Sequence, residues 1–399
     1  MSAAPPGQPN AKTDAPIGRV LVLSMFAVFA TSLFMRAVDP VIPQIANDFA
    51  IDTHTAALVA TAFSLPYAIT QPLLGGLADA FGKIRLMTWS LLALVIAAGI
   101  AAAAPTYAVL LGSRAISGIV AGGIFPITVA IVADRVPVER RQIEVGRILA
   151  AAMISNVLGS PLAGVAADFI GWRGVFVGLG VLSAVALAAA LIGFRGHAKE
   201  AQAPVHLRSL PATYLTIFRN PLAKICYGAV MLEAICLFGL FPFVASLLQA
   251  GGEPRASIAG IVIAGFGAGG VIYAASVSRL LPRFGERRLM IAGGTLMGLG
   301  LMAVALRLPW PAETLLFVTL GLGFYMLHAV IQIYASELAP AARGSAMALH
   351  STAFFFGNAI GPIVYGAALP TVGLTATVTA CGAILIGVGL VCAYRLRRG

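Results

Sequence analysis

The sequence predicts an all-α membrane protein of twelve transmembrane helices arranged as two pseudo-symmetric six-helix bundles. Three observations predict it: an apolar excess that no water-soluble core could hold, a series of apolar runs of membrane-spanning length, and a match of the chain onto itself. Of 399 residues, 59% are hydrophobic and only 10% are charged, and the mean hydropathy is +0.94. Soluble domains run near half apolar and a quarter charged, so most of this surface must face lipid or other membrane helices. The 44 glycines and 23 prolines are scattered through the apolar runs, where membrane helices tolerate both.

Runs of about 18 to 25 mainly apolar residues cross the hydrocarbon core as helices. They fall at roughly 20–42, 55–75, 86–104, 107–132, 146–167 and 175–194 (spans 1 to 6). Spans 7 to 12 follow at roughly 223–248, 257–280, 289–306, 314–335, 345–369 and 374–394. The implied organisation is a cytosolic tail (1–17), an N-terminal bundle (18–194), a polar cytoplasmic linker (195–220) and a C-terminal bundle (221–399). The tail lacks a basic region followed by a short apolar core and a cleavage site, so it does not read as a signal peptide.

The formal net charge of +11 reports topology, not nucleic-acid binding. The basic residues sit in short clusters between apolar runs, without interleaved aromatics. With the N-terminus inside, 21 of the 26 Lys and Arg fall on cytoplasmic segments. Only Arg173, Arg255 and Arg307 fall outside, and Arg36 and Arg114 lie within spans. The positive-inside rule then places both termini in the cytosol of a bacterial inner membrane. Cys226, Cys236, Cys381 and Cys392 lie in apolar runs without ligand or disulfide spacing, so they read as small apolar residues.

The chain matches itself at an offset of 203 residues. Phe81-Gly82-Lys83-Ile84-Arg85-Leu86-Met87 aligns with Phe284-Gly285-Glu286-Arg287-Arg288-Leu289-Met290, and Asp134, Pro137 and Arg140 with Glu337, Pro340 and Arg343. Each match falls on equivalent loops of the two halves. Parallel six-helix repeats are the layout of carriers that rock two bundles about a central site.

At these loops the chain resembles the major facilitator superfamily, over residues 18 to 394 or so. Gly75-Gly76-Leu77-Ala78-Asp79-Ala80-Phe81-Gly82-Lys83-Ile84-Arg85 is similar to that family's loop motif between spans 2 and 3. Ala80 replaces the usual Arg and Ile84 a usual base, and the second copy has Pro282 in place of the acid. Leu111 to Gly118, with Arg114 inside the membrane, resembles the span-4 motif. Asn156 to Gly164 resembles the span-5 glycine–proline motif associated with exporters. Asp39-Pro40-Val41-Ile42-Pro43 resembles the span-1 end of twelve-span drug:proton antiporters.

The resemblance implies a gate at the cytoplasmic face formed by Asp79, Gly82, Arg85 and Arg135, with Asp79 capping span 11 and pairing with Arg135 or a neighbouring base. A carboxylate at a helix N-terminus meets unpaired N–H groups and a partial positive charge. The alternative for Asp79 is a solvated loop acid, and the glycines and bases around it favour the latch. Glycines of spans 4 and 5 read first as packing surfaces.

Charge within a membrane is costly and faces a cavity or a partner. Arg36 and Asp39 share one helix face by i, i+3 spacing, as a proton carrier with a moving partner or a permanent ion pair. Glu233 has no basic residue within one turn. It is an isolated carboxylate that carries a proton, anchors a cationic substrate, or simply reaches water. Arg114 is implied to modulate the proton site, or else binds an anion or acts as a hydrogen-bond hub. Three polar–aromatic stripes read as cavity lining or as interhelical glue: Phe63, Tyr67 and Gln71; Tyr325, His328 and Gln332; His350, Phe354 and Asn358.

The expected function is proton-coupled export of a small, amphiphilic organic compound by alternating access. The alternative is a facilitator or importer of a small metabolite or anion. No HExxH, CxxC, nucleophile elbow or P-loop occurs, which disfavours a polytopic membrane enzyme and ATP drive. No cofactor or metal is expected. The expected partners are substrate, protons and the bilayer, without nucleic acid, for a protein working as a monomer.

Overall fold

The computed structural model describes residues 17–194 and 210–396. Nearly all of the expected tail and the first part of the expected linker lie outside them. Helix α1 covers Ile17–Arg36, α2 Ile42–Asp48, α3 Thr53–Phe81, α4 Lys83–Ala102, α5 Tyr107–Arg135 and α6 Val138–Gly193. Then come α7 Leu210–Arg219, α8 Pro221–Glu233, α9 Val244–Ala250, α10 Ala256–Ala303, α11 Trp310–Glu337 and α12 Arg343–Arg395. No strand occurs among the described residues, and the all-α expectation is borne out.

Helices and spans do not correspond one to one. Helices α6, α10 and α12 hold 56, 48 and 53 residues. At 1.5 Å per residue each would run for roughly 70–85 Å, more than twice the hydrocarbon core. Each folds back at a single glycine in a left-handed conformation: Gly171 (φ +69°), Gly285 (φ +73°) and Gly373 (φ +79°). Gly82 (φ +87°) separates α3 from α4, and Gly285 is its partner at the 203-residue offset. Only glycine adopts this region freely, which explains why Phe-Gly recurs at both loops. Nine apolar stretches of span length exist among the described residues. Dividing three of them at their glycines gives twelve segments by length and composition. The ends bearing Gly171 and Gly373 are called outer, following the charge asymmetry.

The expected cytoplasmic linker enters the described residues only at its end. Its last part is the helix α7, with Ile217 buried and the Tyr214 hydroxyl donating to the Pro72 carbonyl at 3.1 Å. Its polar neighbours masked an apolar stripe that packs under the bundle.

Each half has its own core. One cluster runs from Leu21 to Phe194 and includes only Ala256 from the other half. The second runs from Ile217 to Leu396 and includes only Ala57 from the first. The two intruders lie in the opening turns of α10 and α3, so each half presses one helix start into the other. Along this seam α6 meets α10 and α3 meets α12. A Cβ on Gly164 would lie 2.3 Å from the Ala256 carbonyl, and one on Gly260 2.5 Å from the Ser160 carbonyl. Thr61 donates to the Ala359 carbonyl at 2.8 Å, and the Tyr67 and Phe355 rings lie 4.0 Å apart. These inter-half contacts occupy the outer ends and the centre, so the outer side is closed.

Glycine packing within a half is equally tight. A Cβ on Gly321 would meet the Phe266 carbonyl at 1.9 Å, so α11 must move for any side chain there. Gly321→Ala is expected to destabilise the protein by about 1–3 kcal/mol. Gly99→Ala, with nothing within 4 Å of its Cβ, should leave the thermal midpoint in detergent unchanged. Equal midpoints for both variants would contradict this packing.

Candidate functional site at the two broken spans

Spans 1 and 7 are the two that break, at corresponding places. In span 1, α1 ends at Arg36 and a 3-10 turn, Asp39–Val41, leads into α2. In span 7, α8 ends at Glu233, a π turn covers Ala234–Phe238, and a 3-10 turn, Phe241–Phe243, leads into α9. Pro40 and Pro242 sit in the two 3-10 turns, where a missing N–H is tolerated. Each break frees a carbonyl that a neighbouring span satisfies, as buried backbone requires. Ser160 of span 5 donates to the Arg36 carbonyl at 2.9 Å, and Tyr365 of span 11 donates to the Cys236 carbonyl at 2.6 Å. Discontinuous helices at equivalent positions in two repeats mark the central site of many carriers.

At the first break, Arg36 Nη1 lies 3.5 Å from Asp39 Oδ2, as the i, i+3 spacing anticipates. The sequence did not disclose where the rest of the guanidinium goes. Its Nη2 crosses the seam and donates to Asn358 Oδ1 at 3.1 Å. Its centre lies 4.5 Å from the Phe238 ring centroid and 4.8 Å from that of Phe241. Arg36 thus belongs to one half by sequence and docks into the other through a cation–π cage. Phe238 and Phe241 were missed. The available signal was Pro242, one residue off the repeat register from Pro40, which marks them as flanking a second break.

At the second break, the expectation of an isolated Glu233 is corrected. Its Oε2 lies 2.9 Å from His328 Nδ1, 95 residues away on α11. A hydrogen bond at that distance needs one proton on either the carboxyl or the imidazole. The His350 ring lies 5.1 Å from His328, and Phe324 stacks on it at 4.6 Å. Phe354 packs against both His328 at 5.5 Å and Phe238 at 5.3 Å. Phe238 and Phe354 therefore stand between the Arg36 cage and the Glu233–His328 pair. Glu233 Oε1, His350 Nε2 and Asp39 Oδ1 are buried without a hydrogen-bond partner among the described residues. Unpaired polar atoms are rare in folded interiors, and here three gather around the same two breaks.

The other candidates separate. Arg114 hydrogen-bonds the Phe34 and Val59 carbonyls at 3.0 and 3.4 Å and lies 4.5 Å above the Phe63 ring. That geometry links spans 1, 2 and 4, while Arg114 Nη2 is buried without a hydrogen-bond partner among the described residues and the guanidinium attracts the Asp39 carboxylate electrostatically. Phe63 belongs to the N-terminal core. Gln71 donates to the Gly122 carbonyl at 2.8 Å, the glue reading within one half. Tyr67, by contrast, faces Phe355 across the seam. Tyr325 packs on Phe266 and Phe324, and Gln332 is exposed. Of the expected gate, Gly82 supplies the turn, Arg85 is exposed and Arg135 half-buried, whereas the Asp79 side chain lies outside the described residues. Lys83 bridges to Asp134 across the two inner loops. A cavity of about 340 Å³ opens among Leu240, Val304, Trp310 and Glu313. Its walls all belong to the C-terminal half, so it is not the path between halves.

The Major Facilitator Superfamily model matches residues 24–280 and 254–399. The chain belongs to the major facilitator superfamily. The superfamily member here is 26% identical over 395 residues to the chloramphenicol resistance protein of Streptomyces lividans, covering 96% of each chain. It is 26% identical over 355 residues to the quinolone resistance protein NorA of Staphylococcus aureus (strain N315), covering 87% of this chain and 88% of NorA. An MFS-type transporter of Bacillus subtilis, YceJ, is 26% identical over 359 residues, with 87% of each covered. A crystal structure of the peptide transporter POT in complex with alafosfalin superposes with a TM-score of 0.77 at 17% identity. It covers 96% of this chain and 95% of that one, and at that identity it shows a shared fold. The protein is therefore a multi-pass membrane transporter, with drug-resistance proteins among its relatives.

Proposed function

We propose that this transporter exports small amphiphilic organic compounds from the cytosol of a bacterium in exchange for protons, as a monomer in the inner membrane with both termini inside. The observation that carries the proposal is the hydrogen-bonded Glu233–His328 pair at the π turn of span 7. It is a buried carboxyl–imidazole unit, joined to the Arg36 cage at the break of span 1 through the Phe354 and Phe238 rings. Intramembrane titratable groups with a partner mark proton paths, and π turns gather at functional sites. Relatives that confer chloramphenicol and quinolone resistance support export and an amphiphilic cargo.

The proposed cycle follows from competition for one space. With the outer side closed, substrate enters from the cytosol against Phe238, Phe324 and Phe354, and a proton leaves the Glu233–His328 pair inward. Opening the outer seam withdraws Arg36 from Asn358 and the Phe238–Phe241 cage. Substrate then leaves outward and a proton from outside reloads the carboxyl.

The test uses inside-out vesicles and a fluorescent amphiphilic cation. An acid interior should drive its accumulation, and a protonophore should collapse it. Entry that only equilibrates the cation and ignores the pH gradient would overturn proton coupling and favour the facilitator alternative.

A further inference from the structure

The glycine seam between α6 and α10 ends in a polar contact that belongs to neither helix alone. Helix α10 begins at Ala256, and its N-cap residue Arg255 supplies no side-chain cap. The first two amides are instead satisfied from the other half. Asp168, at the outer end of span 5, accepts from the Ala256 N–H through Oδ1 at 2.8 Å and from the Ser257 N–H through Oδ2 at 3.1 Å. The equivalent helix start in the N-terminal half behaves differently. Helix α3 is capped by its own Asp52, which accepts from the Thr55 N–H at 2.8 Å. Of two symmetry-related helices that start at the seam, one carries its cap in cis and the other borrows it in trans.

A trans cap is conditional on conformation. Orphan amides at a helix start need an acceptor, and a carboxylate there also meets the positive end of the helix dipole. When the outer ends separate, α3 keeps its cap and α10 loses one. We propose that Asp168 is a positioning residue for transport, an outer latch whose capping of α10 holds the outside closed and is released when the outer side opens. The Arg255 side chain pairs with Glu253 at 2.6 Å and attracts the Asp168 carboxylate only at longer range, without a hydrogen bond to it. The proposal rests on alternating access alone and not on the proton or the cargo.

The test measures the gate without substrate or pH gradient. Spin labels at Ala103 and Val372, exposed on outer loops of opposite halves, report the outer separation in a cysteine-free full-length chain in lipid nanodiscs. Losing a helix cap changes an equilibrium by a factor of about five. Asp168→Ala should therefore raise the long-distance population about fivefold, and Asp168→Asn should give a smaller rise. Arg255→Ser gives α10 a cap of its own. It should also raise the open population with Asp168 intact, because the trans cap becomes redundant, without lowering the thermal midpoint. A purely structural Asp168 predicts the opposite pattern: a lower midpoint for Asp168→Ala and no effect of Arg255→Ser. Unchanged distance distributions in folded Asp168→Ala and Arg255→Ser would overturn the latch.

Discussion

Glu233→Gln is expected to reduce gradient-driven accumulation to the level of protein-free vesicles while leaving downhill substrate exchange intact. Gln fills the same volume and can still hydrogen-bond His328 Nδ1, so the helices stay packed and only the exchangeable carboxyl proton is lost. Glu233→Ala is a harsher change. It leaves His328 Nδ1 buried without its partner, at a cost of about 1–3 kcal/mol, and it should lower the thermal midpoint as well as transport. The pair of variants separates coupling from folding. Full gradient-driven accumulation by Glu233→Gln would show that the carboxyl is a packing element and move the proton to another group.

Arg36→Met should have the larger effect on stability. Asp39 is almost wholly buried, and the Arg36 side chain retains only 10% exposure, so the variant strands a carboxylate in the membrane interior. Breaking a buried pair from one side typically costs about 3–5 kcal/mol. It also empties the cage of Phe238 and Phe241 and leaves Asn358 Oδ1 without its donor. The double variant Arg36→Met, Asp39→Leu removes both charges, and apolar replacements of buried pairs are often neutral or stabilising. It should recover the thermal midpoint yet remain uncoupled, since the charge that links Asp39 to the opposite half is gone. A double variant that transports normally would reduce the pair to a structural element, the reading left open by its spacing alone.

How much of this the sequence disclosed depends on what kind of information each feature needs. The number and approximate place of the spans follow from run length and composition, because lipid imposes one requirement on every residue of a span. The turns at Gly82 and Gly285 were legible because a left-handed turn demands glycine and the repeat supplied the second instance. Arg36 and Asp39 were legible as a local pair because helical spacing fixes which neighbours can meet.

Long-range partners were not legible. Nothing in the residues around Glu233 names His328, and the i, i+4 stripe that drew attention to His328 gave its helix face without the carboxylate it meets. Arg36 was read within its own span, although two of its three interactions lie in the other half. The aromatic stripes were only partly informative: apolar helices carry Phe and Tyr for packing too, and Phe63 and Gln71 turned out to serve the N-terminal half. Asp168 was passed over because an acid at a loop edge looks solvated until the uncapped start of another helix is placed against it. The helix α7 was hidden for the simpler reason that polar residues around it outweighed its apolar stripe.

The most direct measurement of the central claim is proton release on substrate binding. Purified protein in weakly buffered detergent solution is titrated with an amphiphilic cation that it transports, and the pH change is recorded from acid to neutral conditions. The account predicts release of protons that saturates with the substrate and disappears in Glu233→Gln, while that variant still binds the cation. Substrate binding with no proton release in the wild type, or with undiminished release from Glu233→Gln, would contradict it.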